Sequence, residues 1–169
     1  MRKQLNLFLL FITISAEEMQ HIALKTYGHV TTAQGMLINN AFLYLNKFWS
    51  DKGKSLSNVT TQQYFTPDTT LIINGKTVYT GYAQFNNHFK EVGKHIRGEI
   101  QFPLLKIISV DDKLIVHFDE NIYDNNEHYY PANVIAIFTL QNGRIQKWEE
   151  VANSTYFCQA QSASVVYSK

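Results

Sequence analysis

The chain is poor in charge, cysteine and proline. Asp, Glu, Lys and Arg make up 17 % of its 169 residues, below the usual quarter, and the net charge is only +1. Lys and Arg are scattered rather than gathered into a stripe, so the electrostatic footprint of a nucleic-acid binder is missing. One cysteine, Cys158, leaves no partner for a disulfide within these residues and says nothing of the redox compartment. With no evident base or cation near it in sequence, Cys158 reads as an ordinary tail residue. The three prolines and eight glycines are too few for a low-complexity or collagen-like chain. No apolar run approaches the ~20 residues that a helix needs to span a bilayer, so stable membrane insertion is not expected. No His/Cys spacing suggests zinc, and no metal or organic cofactor is expected.

Aromatics are plentiful at 14 %, and apolar residues make up 45 %. A chain of this length fits one domain with a substantial core. The composition points to an aromatic-rich interior with room for an apolar pocket. Before that domain, Arg2 and Lys3 precede the run Leu5–Ile12, and Ser15-Ala16 ends it. That is the shape of a short secretory signal, although Asn6 interrupts the run and Ile14 is large for its position. Residues 1–16 are therefore expected to be a signal for export, periplasmic or secreted. The competing reading is an N-terminal helix of a cytoplasmic protein. Residues 17–30 form an extension without clear pattern.

From residue 31 the periodicities are clear. Thr31-x-x-Gln34 is a capping box. It opens a helix with two adjacent apolar stripes, one through Leu37, Ala41, Tyr44 and Phe48, the other through Ile38, Phe42, Leu45 and Trp49. Two stripes make a wide apolar face, so the helix is expected to be largely buried and to stop near Asp51-Lys-Gly53. Most of its aromatics read as core, with Tyr44 and Trp49 able to edge a pocket. A short helix begins at Ser57 and ends before Pro67. Thr69–Asn74, Gly75-Lys76 and Thr77–Thr80 read as a β-hairpin. A third helix carries Tyr82, Phe85, Phe89, Val92 and Ile96 on one face. After it come a long strand from Glu99 to Val110 with Pro103 at an edge or bulge, and then strands around 114–123, 133–140 and 144–151. Residues 153–169 are small and polar and read as a loose tail. Asn58-Val-Thr60 and Asn153-Ser-Thr155 fit the glycosylation pattern, which is short enough to arise by chance. The order is α+β, a four-strand antiparallel meander with helices on one side of a curved sheet.

Several polar residues could carry chemistry. Trp148 and Glu150 share one face of the last strand, about 6.6–6.8 Å apart. His117, Asp119 and Asn121 share one face of a middle strand, opposite Leu114, Val116, Phe118 and Ile122. That polar face either meets water or lines a cavity. If it lines a cavity, desolvation raises a carboxylate's pKa and a nearby cation lowers it. His117, Asp119 and Glu150 would then supply a general acid and a general base. His88 and His95 lie seven residues apart on the third helix and read as surface or rim.

A long helix, a short helix, a hairpin, a helix opening at Gly81-Tyr-Ala-Gln-Phe85, and a meander closing with Phe138–Ile145 and Trp148-x-Glu150 resemble the NTF2-like superfamily, and within it the SnoaL-like group. The resemblance covers residues 31–152. It implies a cone-shaped NTF2-like fold, a curved antiparallel sheet wrapped around three helices, with a pocket at the wide end. It also implies a small, largely hydrophobic ligand, a homodimer formed through the open sheet face, and cofactor-free acid–base chemistry of isomerase, lyase/cyclase or hydrolase type. The alternative is a non-catalytic ligand-binding or dimerisation module of the same fold. The layout is most similar to limonene epoxide hydrolases. Asn74, Asp119 and Trp148 match their Asn, middle Asp and Trp, while Ile72, His117 and Glu150 stand where they carry Tyr, Arg and Asp. Those departures argue against epoxide hydrolysis itself. On this resemblance His117, Asp119 and Glu150 are the catalytic candidates, and Tyr44, Trp49, Asn74, Asn121 and Trp148 the ligand-binding ones.

Overall fold

The computed structural model describes residues 26–27, 30–51 and 57–154. The candidate signal, Cys158 and most of the N-terminal extension and C-terminal tail lie outside these residues. Thr31 caps the first helix, α1 (Thr32–Ser50), in both directions: its hydroxyl takes the Gln34 N–H, and the Gln34 side chain takes the Thr31 N–H. The two stripes expected on α1 are buried as one face, with Ile38, Ala41, Phe42, Leu45 and Phe48 essentially inaccessible. Ser57 caps the short helix α2 (Asn58–Tyr64). The chain turns directly into β2 (Phe65–Ile73), and a turn at Asn74-Gly75 returns it as β3 (Lys76–Thr80). Helix α3 (Tyr82–Val92) follows Gly81, whose φ of +80° suits glycine. The helix is shorter than its apolar pattern, because Gly93 ends it and Ile96 already belongs to a strand.

The remaining strands are β4 (Ile96–Ile100), β5 (Lys106–Val110), β6 (Lys113–Asp124), β7 (Tyr129–Gln141) and β8 (Arg144–Ser154), with β1 (Thr26–Tyr27) added beside β5. The single long strand expected over 99–110 is in fact two strands, β4 and β5, both paired to β6. Pro103 has no N–H to give the ladder, and the backbone between the two bonds to β6 through Gln101 N–H to Asp119 O and Leu105 N–H to His117 O. The last strand continues two residues past the expected end of the domain, to Ser154.

In spatial order the sheet runs β1-β5-β6-β7-β8-β2-β3, with β4 also on β6. It is mixed rather than purely antiparallel, since β2 lies parallel to β8 and β1 parallel to β5. The sheet curls around α1 and α3 into the expected α+β cone. Phe42 of α1 sits at the centre of the concave face, with ring centroids 4.8 Å from Phe118, 5.8 Å from Phe138 and 6.1 Å from Trp148. Such contacts, within the 4.5–7 Å range of favourable aromatic pairs, join helix to sheet across the core.

Candidate functional site

Register decides which polar groups enter the cone. On β6, Leu114, Val116, Phe118 and Ile122 are buried against the helices. With a two-residue period, the inward position between Phe118 and Ile122 belongs to Glu120. Across the sheet, Glu120 pairs with Ala132 of β7 and Phe118 with Val134. Glu150 pairs with Ala136 and Ala152 with Val134. Glu150 therefore enters the same concave face as Glu120, separated from it by the small side chains of β7. Each carboxylate is half-buried. Desolvation pushes Glu120 up to about 7. It pushes Glu150 up to about 8, helped by the nearby charge of Glu120 and opposed by the Trp148 indole N–H.

Two further groups complete the Glu150 end. Tyr79 of β3 stands in register with Leu71, which in turn pairs with Trp148. The Tyr79 side chain is 1 % exposed and Trp148 5 %. The Tyr79 hydroxyl has no hydrogen-bond partner among the described residues, and the group the Trp148 indole N–H reaches is the Glu150 carboxylate. Burial, with the Glu150 charge adding to it, holds the Tyr79 phenol well above its ordinary value, so it stays a donor. A buried polar group without a partner costs roughly 1–3 kcal/mol. The partnerless Tyr79 hydroxyl beside a buried acid therefore makes this end the candidate site. His88 of α3 lies behind Tyr79, ring centroids 5.7 Å apart. Half-buried, it is lowered to about 4 by desolvation and is neutral.

At the other end, Gly98 of β4 makes the room. A Cβ there would meet Glu120 Oε1 at 2.5 Å and Trp49 Nε1 at 3.0 Å. The missing side chain thus lets the α1 indole and the β6 carboxylate share one small space. A cleft of about 390 Å³ lies on the outer side of the sheet, lined mainly by Asp119, Asn121, Tyr129, Pro131, Asn133 and Asn153, with Glu120 and Ala132 at its edge.

The other candidates lie elsewhere, and the placement expected for them inside the cone is corrected. The side chains of His117, Asp119 and Asn121 stand on the outer face of β6, opposite Phe118, because the apolar alternates are the ones packed on α1. There His117 Nε2 meets Asn133 Oδ1 at 3.0 Å, Asn133 Nδ2 donates to Asp119 Oδ1 at 2.7 Å, and Asn121 takes the Tyr129 hydroxyl at 3.1 Å. The structure does not bring His117 or Asp119 to Glu150. Replacing Asp119 by Asn is accordingly expected to change stability by less than about 0.5 kcal/mol in urea unfolding. Asn74 is exposed at the hairpin turn with φ +49°. It ties β8 in place, its N–H donating to the Glu150 carbonyl at 2.9 Å and its side chain taking the Ala152 N–H. Tyr44 is core, its hydroxyl 3.1 Å from Thr61 Oγ1. Trp49 and Trp148 are the two ligand-binding candidates that reach the concave site. No group of three or more His, Cys, Asp or Glu able to hold a metal occurs among the described residues.

Sequence reasoning missed Glu120 and Tyr79. The signal for Glu120 was present, an acid at an inward position of an otherwise apolar alternation. Tyr79 carried none, since a tyrosine in a β-hairpin looks the same whether it fills the core or a site.

No family model and no curated protein matches the chain. Solved structures do. An NTF2-like protein of unknown function from Burkholderia pseudomallei is 11 % identical, with 82 % of this chain and 100 % of that one covered and a TM-score of 0.58. A proposed polyketide cyclase from Xanthomonas campestris is 16 % identical, covering 79 % and 96 % at a TM-score of 0.59. A LEH-like epoxide hydrolase from M. tuberculosis is 13 % identical, covering 73 % and 80 % at 0.58. At these identities the likeness establishes the NTF2-like fold, which hosts many activities.

Proposed function

We propose that this chain is a SnoaL-like pocket protein that binds a small, largely hydrophobic molecule in its cone and moves protons on it without a cofactor. The observation that carries this is Glu150 on the concave face, flanked by the buried Tyr79 hydroxyl and Trp148 N–H. An acid raised to about 8 keeps its proton at neutral pH and can donate it to a ligand oxygen. A protonated Glu150 with the Tyr79 hydroxyl and the Trp148 N–H near it suits a carbonyl or a developing oxyanion. Glu120, raised to about 7, is divided between its two forms at neutral pH and supplies a proton acceptor. Acid and base with different environments are what acid–base catalysis needs. Of the reaction types expected, isomerisation fits best, since it needs only proton transfer beside a polarised carbonyl. A homodimer through the outer sheet face goes with this reading, because Ile135, Ile137 and Val151 stand 51 %, 37 % and 66 % exposed there on neighbouring strands.

Infrared spectroscopy of a bound apolar ketone, phenylcyclohexanone, tests the proposal. The carbonyl stretch is expected to fall in frequency on binding at pH 6 and to recover as Glu150 ionises above pH 8. Glu150→Gln, which cannot ionise, should remove that pH dependence. Binding with an unshifted carbonyl would leave a non-catalytic binding module, and no binding at all would sink the pocket reading.

A further inference from the structure

The outer face of the sheet carries a polar cleft that the chemistry of the cone does not use. Its volume of about 390 Å³ falls within the ~300–1,000 Å³ in which small ligands are held. Three neighbouring strands build it. Asp119 of β6 stands beside Asn133 of β7, and Asn133 beside Asn153 of β8. Nearer the β6–β7 turn, Asn121 stands beside Pro131, and Tyr123 beside Tyr129. The lining holds no Lys or Arg. The apolar patch of Ile135, Ile137 and Val151 begins one row further along the strands, where His117, Ile135 and Val151 are in register.

The polar groups are fixed by bonds to one another. Asn133 spends its carbonyl oxygen on His117 and one N–H on Asp119. The Asn121 oxygen takes the Tyr129 hydroxyl, which holds that ring at its tip. Tyr123 supports the ring's flank, centroids 5.6 Å apart, and itself carries the Arg97 guanidinium 4.0 Å above its centroid. These bonds leave the second Asp119 oxygen, the N–H groups of Asn121, one N–H of Asn133 and the Asn153 amide for a ligand. Tyr129, 54 % exposed, adds an aromatic surface. Groups already held in place lose little freedom when a ligand arrives.

We infer that this cleft binds one ring of a neutral carbohydrate. A pyranose offers adjacent hydroxyls, each both donor and acceptor, and an apolar face of C–H groups. Amides and a carboxylate answer the first, and the Tyr129 ring answers the second. An anion such as phosphate would meet Asp119 with no lining cation to offset the repulsion. A small cation would suit Asp119 and be opposed by the amide N–H groups around it. An apolar ligand would strip water from these polar groups without replacing its hydrogen bonds. The cleft lies on the opposite face of the sheet from Glu150, so this inference does not depend on the pocket in the cone.

Side-chain amide signals in a proton–nitrogen correlation spectrum of the full chain test it, since Asn121, Asn133 and Asn153 each report from the lining. The probes are the methyl glycosides of glucose, galactose, mannose and N-acetylglucosamine, with choline and inorganic phosphate as charged controls. At least one glycoside is expected to shift all three signals saturably, and neither control should. Asp119→Asn should weaken that glycoside roughly tenfold, the worth of a hydrogen bond to a charged acceptor. Tyr129→Ala should weaken it roughly fivefold through lost apolar contact. Backbone signals of the helices, unchanged from wild type, identify a folded variant, and either variant alone suffices. The inference is overturned if no glycoside shifts the three signals, or if shifts fall only on other residues. Equal shifts from choline or phosphate, or an affinity unmoved in the folded variants, overturn it as well. None of these outcomes touches Glu150, which the bound ketone reads separately.

Discussion

Glu150→Gln is expected to stabilise the protein above pH 8. The folded carboxyl is raised from 4.5 to about 8, chiefly by desolvation. Between those values the unfolded chain has released its proton and the folded chain has kept it. Stability falls with pH wherever the native state holds more protons. Glu150 therefore adds nothing against folding below about pH 4.5. It subtracts progressively up to about pH 8, and its full cost persists above that. Water reaching a half-buried group discounts the nominal shift, so a cost of about 2–4 kcal/mol follows at pH 9. Glutamine is nearly isosteric and never ionises, which removes this cost. Urea unfolding at pH 5, 7 and 9 reads it directly, with wild-type stability dropping across the series and the variant losing only the smaller slope left by Glu120. Parallel curves for the two proteins would place Glu150 in bulk water and remove it from the site. A stabilising substitution at a proposed acid is the expected mark of a group retained for function at the expense of the fold.

Phe42→Ala is the substitution expected to hurt most. The side chain is 1 % exposed and touches rings on three strands, Phe118 of β6, Phe138 of β7 and Trp148 of β8. Removing it loses the transfer free energy of the ring and leaves a hole that the curled sheet can only partly close. Such truncations cost about 3–5 kcal/mol, a large share of the 5–15 kcal/mol that holds a typical domain together. Leu43, the next residue along α1, is 49 % exposed, and Leu43→Ala should cost a small fraction of that. Chemical denaturation of the two variants makes the comparison, and similar midpoints would contradict the packing of α1 in the cone. Because Phe42 also supports the indole of Trp148, the variant that survives should bind an apolar ketone more weakly than its loss of stability alone explains.

Much of this architecture was legible in the residues. Thr31 and Gln34 are close in sequence and their bonds are local, so the start of α1 could be read directly. The Asn74-Gly75 and Asn142-Gly143 turns likewise carry their own conformational signal, each with a positive-φ asparagine followed by a positive-φ glycine. Where reading failed, the cause was non-local. Whether Pro103 bulges a strand or divides it depends on how both segments bond to β6. The parallel pairing of β2 with β8 joins Leu71 to Trp148, and nothing near either residue announces it.

The candidate site divides along the same line. By itself the sequence determined that Trp148 and Glu150 share a face, and that Asp119 and Glu120 must point to opposite sides of their strand, because side-chain direction alternates with every residue. Only the tertiary structure decided which of those two acids faces Glu150. That choice follows from α1 burying Phe118 and Ile122, which carries Glu120 inward and leaves Asp119 outside. It also decided that Tyr79 comes beside Glu150, since the parallel pairing of β2 with β8 carries β3 to that end of the sheet.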